Sequence, residues 1–266
     1  MRPSDALRYT GRAFSLALLA TGPAAFAQEE SEERAPWRTR IALGPQLVPS
    51  FPGSDSVSVR PLIDIARARG DDPFPFEAPD EGSGPILARS NGWQFGVAFG
   101  FEGDRSRNDT DGVLPKVGFT VELGGFVQYE VAPAFRIRTE FRQGLGGHEG
   151  LIGTVSADYV ARDGDQWLFS LGPRATFANG RYHREYFGIS EETAATTGLP
   201  AYDAEGGLQS VGGTAGLIFQ VTPRWGLYSY AKYDRLVADA GRSPVVRNFG
   251  SRDQLSGGVA VSYTFR

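Results

Sequence analysis

The feature that most constrains this chain is a strict alternation of apolar residues with small or polar ones. In residues 93–102 every second residue is Trp, Phe or Val, and the residues between them are Gln, Gly, Ala or Glu. The same period of two runs through 135–142, 167–177 and 255–265. Successive side chains of a β-strand point to opposite faces. The pattern therefore predicts strands whose two faces differ in polarity.

The connections between these segments fall into two classes. Tight turns are predicted at 132–133, 162–165 and 222–224, and long polar connections at 103–115, 179–207 and 238–252. Short turns on one rim and long loops on the other are typical of outer-membrane barrels. The predicted strands lie near 38–48, 57–67, 73–78, 84–90, 92–102, 116–130, 134–143, 151–161, 166–178, 208–221, 225–237 and 253–265. The strand at 73–78 lies among prolines, and it is retained because the turn at 90–92 would otherwise fall on the long-loop side.

These observations predict an all-β fold, an antiparallel transmembrane β-barrel of about twelve strands. Beyond the N-terminal region no apolar run is long enough for a spanning helix, and a closed barrel is the other architecture that satisfies its own backbone in lipid. The 35 Gly, the 12% aromatic content and the mean hydropathy of −0.27 are compatible with that class. A soluble barrel or sandwich has the same period. Small residues in the polar rows, aromatic residues at strand ends and the terminal Tyr263-Thr264-Phe265 favour the membrane barrel.

The N-terminus has the features of a secretory signal. Three Arg within the first twelve residues precede an apolar stretch, which ends in an Ala-Phe-Ala site before Gln28. The predicted organisation is a signal peptide at 1–27, a short acidic disordered lead-in at 28–36 and an outer-membrane barrel at 37–266. The absence of Cys excludes a disulfide scaffold and a lipoprotein. The net charge of −4, without basic clusters, argues against nucleic acid as a partner.

Charged residues on the polar rows are the first candidate site. They are predicted to line the lumen: Glu122, Arg136, Arg138, Glu140, Arg142, Asp158, Arg174, Lys232 and Asp234. Such a row could form the selectivity lining of a narrow pore. It could instead be a neutralised ion-pair network that fills a small barrel. Because both signs of charge are present, the second interpretation is favoured.

Catalysis, metals and cofactors have little support in the sequence. His148 lies beside Glu149 in a Gly-rich loop and could form a general-base pair with it. A polar loop is the simpler interpretation, and no Ser is placed near either His. His183 lies in a charged segment, and two His without Cys predict no metal site. The chain is therefore predicted not to be an enzyme and to carry no cofactor.

The long connection at 179–207 is the second candidate site. It contains aromatic residues that could contact a partner, or fold as a lid over the barrel mouth: Tyr182, Tyr186, Phe187 and Tyr202. A loop that merely plugs its own barrel is an equal alternative. Long connections are often functional, and we predict that the loops, rather than the lumen, carry the function.

Several stretches resemble the MipA/OmpV family of MltA-interacting proteins. Residues 49–55 look like its P-x-Y-x-G-S-D loop, with Phe51 where Tyr is usual. Residues 186–208 and 236–244 are similar to its later loops, and 263–265 to its C-terminus. The extra Arg266, and Ala260 where Gly is usual, are departures. The resemblance implies a cell-outer-membrane barrel with a scaffolding role between a murein transglycosylase and a murein synthase. A narrow channel for small polar solutes is the alternative, and a barrel hydrolase is third.

Overall fold

Antiparallel strands dominate the structure, a computed structural model that describes residues 35–265. The predicted signal peptide, and residues 28–34 of the predicted lead-in, lie outside the described residues. Within them the strands are β1 (Trp37–Pro49), β2 (Val57–Arg69), β3 (Ile86–Ser90), β4 (Trp93–Glu102), β5 (Thr120–Ala132), β6 (Phe135–Leu145), β7 (Leu151–Asp163), β8 (Trp167–Ala178), β9 (Gly207–Gln220), β10 (Trp225–Leu236) and β11 (Asp253–Phe265).

Short helices occur only in the connections between the described strands. They are α1 (Gly180–Phe187), α2 (Glu191–Thr197), α3 (Ala238–Arg242) and α4 (Pro244–Phe249), together with a 3-10 turn at Arg107–Thr110. In this part of the chain no helix has the length and apolar character needed to cross a membrane.

The strands form one sheet that curls into a barrel-like wall. The described strands follow the order β2-β1-β11-β10-β9-β8-β7-β6-β5-β4-β3, so the first and last of them in the chain, β1 and β11, pair with each other. The two edges, β2 and β3, share no ladder. Toward the long-loop end, beyond the short β3, the β2 edge faces β4, where Arg60 of β2 lies 3.8 Å from Glu102 at the end of β4. We call the gap between β2 and β3 the seam.

The connections separate onto two rims, as predicted. The turns at 91–92, 133–134, 164–166 and 221–224 lie on one rim, which we call the short-turn rim. The helices and the other long connections lie on the opposite rim, the long-loop rim. In outer-membrane barrels the short turns face the periplasm.

The two faces of the wall confirm the predicted alternation, with the apolar face outward. Phe95 and Phe99 are 46% and 45% exposed, whereas Arg136 and Arg138 are only 5% and 3% exposed. A soluble protein buries its apolar face and solvates its charges. The reversed arrangement requires lipid around the wall, so the all-β transmembrane barrel predicted from the sequence is confirmed.

One predicted strand is wrong. Residues 73–78 form no strand, and the predicted strand at 84–90 is shortened to Ile86–Ser90. The chain still crosses the barrel between β2 and β3, because both strands end at the short-turn rim. Four prolines between residues 71 and 85 remove N–H donors that a wall strand needs. The crossing therefore runs through the interior, and the described wall has eleven strands rather than twelve.

We expect Val97→Arg to impair assembly much more than Ala98→Ser. Val97 lies in the outward row between Phe95 and Phe99, while Ala98 is fully buried on the inner face. An Arg on the lipid face near mid-membrane costs about 2–4 kcal/mol. The measurement is the fraction of each variant that migrates as a heat-modifiable barrel from outer-membrane fractions. Equal tolerance of the two substitutions would contradict the assigned facing.

Candidate functional site in the filled lumen and the lid

Residues 71–85, which we call the inner segment, run through the interior of the barrel from the short-turn rim. The backbone N–H of Phe74 donates to Asp165 Oδ1 at 2.9 Å, close to that rim. The buried Phe74 ring packs against two guanidinium groups, those of Arg38 and Arg40, each 4.9 Å from the ring centroid. This cation–π packing fixes the lower part of the inner segment to the wall.

Asp80 ties the middle of the inner segment to three neighbouring strands. Its Oδ2 accepts hydrogen bonds from Arg174 Nε at 3.0 Å and from Thr214 Oγ1 at 2.9 Å. Lys232 Nζ lies 3.3 Å from the same oxygen. The three partners belong to β8, β9 and β10. Charge-assisted hydrogen bonds are stronger than neutral ones, so one carboxylate joins the inner segment to a large part of the wall.

The next two residues of the inner segment bind β6. Arg136 Nη2 donates to Glu81 Oε1 at 2.6 Å and to Asp158 Oδ2 at 2.7 Å. The backbone N–H of Gly82 donates to Glu140 Oε1 at 3.0 Å. The inner segment is thus held from β6 as well as from β8 to β10, and Asp158 of β7 supports Arg136.

A second charged group lies above the inner segment, toward the long-loop rim. Arg142 Nε donates to Glu122 Oε2 at 2.7 Å, and Arg142 also pairs with Glu140. His148 Nδ1 accepts the backbone N–H of Gly150 at 3.0 Å, so its Nε2 carries the proton that is donated to Glu122 Oε1 at 3.1 Å. Both ring nitrogens are therefore used in the fold.

The general-base pair of His148 with Glu149, which the sequence allowed but did not favour, does not form. His148 is fully buried and its acidic partner is Glu122, whereas the Glu149 side chain is exposed and pairs with Arg181. The His148 ring also packs edge-on against Tyr182, with 4.7 Å between the centroids. A buried, doubly bonded imidazole is a structural group of the lumen.

The structure places all nine predicted lumen residues on the inner face of the wall. Six are buried: Glu122, Arg136, Arg138, Glu140, Asp158 and Arg174. The side chains of Arg142, Lys232 and Asp234 are 15%, 22% and 16% exposed, and Lys232 Nζ lies 3.1 Å from Asp234 Oδ2. Because each contacts a group of opposite charge, the arrangement matches the ion-pair network favoured from the sequence.

Sequence reasoning missed two members of this network, Asp80 and Glu81. They lie in a Pro- and Gly-rich stretch without periodicity, which gives no sign that it is buried. One signal was available: the nine predicted residues contain five basic and four acidic groups. A neutral lumen therefore required further acids from outside the predicted strands.

Little space remains between the inner segment and the wall around Glu81 and Glu140. The cavity bounded by Asp80, Glu81, Arg138 and Glu140, among others, measures about 10 Å³. That is room for one water molecule at most. A larger cavity of about 220 Å³ lies above it, with Asp80 on one side and Tyr182 of the lid on the other. The inner segment thus fills the middle of the lumen.

The long-loop rim is covered by a packed lid built around α1. Asn179 caps the helix by accepting the backbone N–H of Tyr182 at 3.0 Å. Tyr182 and Tyr186 are four residues apart and share one face. They pack with Phe187 into an apolar cluster: Phe51, Leu114, Val117, Ile152, Ala178, Ile189, Ala204, Leu236, Ala240, Val245 and Val246. The cluster takes residues from every connection on the long-loop rim except that between β6 and β7, and from the ends of β7, β8 and β10. It therefore joins the loops into one unit.

The predicted role of the loop aromatics as exposed contacts is therefore wrong for three of the four. Tyr182, Tyr186 and Phe187 are 1%, 0% and 0% exposed. Tyr202 is partly exposed, and its hydroxyl donates to the backbone carbonyl of Asp239 at 2.9 Å. The alternative of a lid folded over the barrel mouth describes this arrangement. The long connection at 179–207 also contains two helices, α1 and α2, since Asn179 and Ser190 supply helix caps.

Arg105 is a further lid residue that the sequence did not single out. It is almost fully buried and donates to the backbone carbonyls of Tyr186 and Pro115, both at 3.1 Å. Burial lowers the pKa of this guanidinium and raises the pKa of the neighbouring Tyr186 phenol. Burial likewise lowers the pKa of His183, whose ring contacts the Glu205 carbonyl. Arg105 thus fastens the β4–β5 connection to α1.

The described residues contain no group of three or more His, Asp or Glu side chains arranged to hold a metal ion. An apolar outer face, short turns on one rim and a charged interior define the class of protein: a transmembrane β-barrel of the outer membrane. The chain belongs to the family of the MltA-interacting protein MipA, whose family model matches residues 41–265. The resemblance inferred from the sequence is confirmed, and the protein is an outer-membrane protein.

Solved structures similar to this chain are also outer-membrane proteins. They include the COG4313 outer membrane channel from Pseudomonas putida F1, at 10% identity and a TM-score of 0.42, with 87% of this chain and 96% of that chain covered. The NanC porin is 9% identical with a TM-score of 0.38, over 86% and 99% of the two chains. The outer membrane protease OmpT from Escherichia coli is 12% identical with a TM-score of 0.27, over 88% and 98%. No curated protein matches the chain in sequence.

Proposed function

We propose that this protein is a non-catalytic barrel with a filled lumen that acts as a scaffold in the outer membrane, holding murein-cleaving and murein-synthesising enzymes near the murein. The observation that carries the proposal is the filled lumen. The inner segment is fixed by ion pairs to β6, β8 and β10, and the cavity bounded by Glu81, Arg138 and Glu140 measures only about 10 Å³. A barrel filled by its own chain supports a role performed by its surface.

The partner surface that we propose is the short-turn rim. The murein lies in the periplasm, and the short turns of outer-membrane barrels face that compartment. The lid lies on the opposite rim, so α2 faces away from any murein enzyme. The family description, an MltA-interacting protein, supports a partner of the murein-cleaving class.

A narrow channel is the second candidate, and one observation favours it. The cavity of about 220 Å³ beneath the lid is lined by charged groups of both signs, including Glu102, Arg142 and Lys232. Conduction would require both the inner segment and the lid to move. Hydrolysis ranks third, because His148 already uses both ring nitrogens within the fold.

Site-specific photo-crosslinking in cells tests the scaffold proposal. A photoreactive amino acid at Asn91 or Asp163, both exposed on the short-turn rim, is expected to crosslink to a murein transglycosylase or a murein synthase. The matched control is the same amino acid at the exposed Ala195 of α2, where no such crosslink is expected. Crosslinks from Ala195 alone would contradict the orientation. Absence of a murein enzyme from the crosslinks at both rim positions would contradict the scaffold role.

A further inference from the structure

The seam between β2 and β3 opens into a cavity of about 670 Å³ at the short-turn rim. One wall includes Ile65, which belongs to the outward, lipid-facing row of β2 and is 59% exposed. Another includes Phe126, which is buried on the inner face of β5. A cavity lined by residues from both faces connects the lipid side of the wall with the interior, and the seam is where it passes through.

The lining of this cavity is both aromatic and basic. The aromatic residues are Trp37, Phe74, Phe76, Phe126 and Phe135, and the charged ones are five Arg and two Glu. Three of the arginines already have partners: Arg136 and Arg138 bind acids of the lumen network, and Arg162 binds Asp165. The charged groups that remain are Arg67 and Arg89 together with Glu77 and Glu130, so the cavity combines unpaired arginines with an apolar surface.

The two remaining arginines lie on the two edges of the seam. Arg67 follows Ile65 on the outward row of β2, and Arg89 lies on β3 opposite Gln94. Both are exposed, and within residues 35–265 neither forms an ion pair. Arginine binds phosphate oxygens through a planar fork of donors. Two such groups at one opening provide a site for a phosphate.

We propose that the seam binds one phospholipid of the periplasmic leaflet. Its phosphodiester lies between Arg67 and Arg89, and an acyl chain passes through the seam onto Phe76 and Phe126. The cavity lies at the depth of the lipid headgroups, because Trp37 and Phe135 in its lining are aromatic residues of the membrane interface. The occupant would also cover the unpaired strand edges of β2 and β3 with an apolar chain. This site is independent of the scaffold proposal.

The first test measures lipid retention by native mass spectrometry of the purified full-length mature protein, using phosphatidylglycerol as the probe. We expect one tightly retained lipid per barrel. Combined Arg67→Ala and Arg89→Ala substitutions are expected to weaken binding at least about tenfold. The matched control is Arg224→Ala, at an exposed arginine on the same rim but away from the seam. Equal loss in both variants, or no loss in either, would overturn the proposal.

The second test locates the acyl chain. Phosphatidylglycerol with a photoreactive group at the chain end is expected to crosslink to the inner segment or to Phe126, which bulk lipid cannot reach. Crosslinks confined to outward residues such as Ile63 and Phe95 would show annular lipid and overturn the proposal. Displacement of the lipid by millimolar inorganic phosphate would also overturn it, because the site would then recognise the free anion.

Discussion

Replacing residues 73–82 of the inner segment by a glycine–serine linker of equal length is expected to convert a non-conducting barrel into a pore. The substitution removes the Phe74 packing and the ion pairs of Asp80 and Glu81, which occupy the middle of the lumen. Residues 83–85 are kept because they bridge to β4. A lumen lined by the remaining charged rows would then admit water and small ions.

Planar-bilayer recording measures this change as the appearance of discrete single-channel steps. The matched control replaces Glu191–Thr197, helix α2 of the lid, by the same type of linker. That variant is expected to remain silent, since the inner segment stays in place. Heat-modifiable migration establishes that both variants fold. If the unaltered protein already shows single-channel steps as large as those of the 73–82 variant, the lumen is not filled and the channel function is favoured.

Asp80→Ala is expected to lower the free energy of unfolding by about 3 kcal/mol, the lower end of the cost of breaking a buried ion pair. Arg174 and Lys232 lose their shared acceptor, and Thr214 loses its hydrogen-bond partner. The lower value is expected because Arg174 keeps Asp158 at 2.9 Å and Lys232 keeps Asp234 at 3.1 Å.

Urea unfolding of the refolded protein in detergent micelles measures the effect of Asp80→Ala. Asp253→Ala is the control: this carboxylate also pairs with an arginine, Arg235, but both side chains are 50% exposed. Solvent screens such pairs, so no measurable change is expected. A shift for Asp80→Ala no larger than that of the control would show that the carboxylate does not hold the inner segment.

The burial of the lid aromatics could not be predicted from the loop sequence alone. Tyr182, Tyr186 and Phe187 are far in sequence from Phe51 and Val245, and no local pattern indicates that they meet. Helical spacing between Tyr182 and Tyr186 was the available signal, and Asn179 is a recognisable helix cap. The apolar side chains gain more by packing together over the barrel mouth than by remaining in water.

For the inner segment, too, the sequence predicted one part of the structure and left another open. The sequence required a crossing between β2 and β3, because the turn at 91–92 had to lie on the short-turn rim. It did not reveal whether that crossing lay in the wall or in the lumen. Prolines argue against a wall strand, but the interior path depends on Arg174, Lys232 and Arg136, which belong to distant strands.

The sequence by itself determined the period of two, the short and long connections and the inward placement of the charged rows. These follow from local rules, since a strand alternates its side chains regardless of what surrounds it. The tertiary structure decided which acids neutralise the lumen, that residues 71–85 fill it and that the loop aromatics close it. Those outcomes depend on contacts between residues such as Asp80 and Thr214. These two residues are 134 positions apart, so the local sequence around either of them does not reveal the contact.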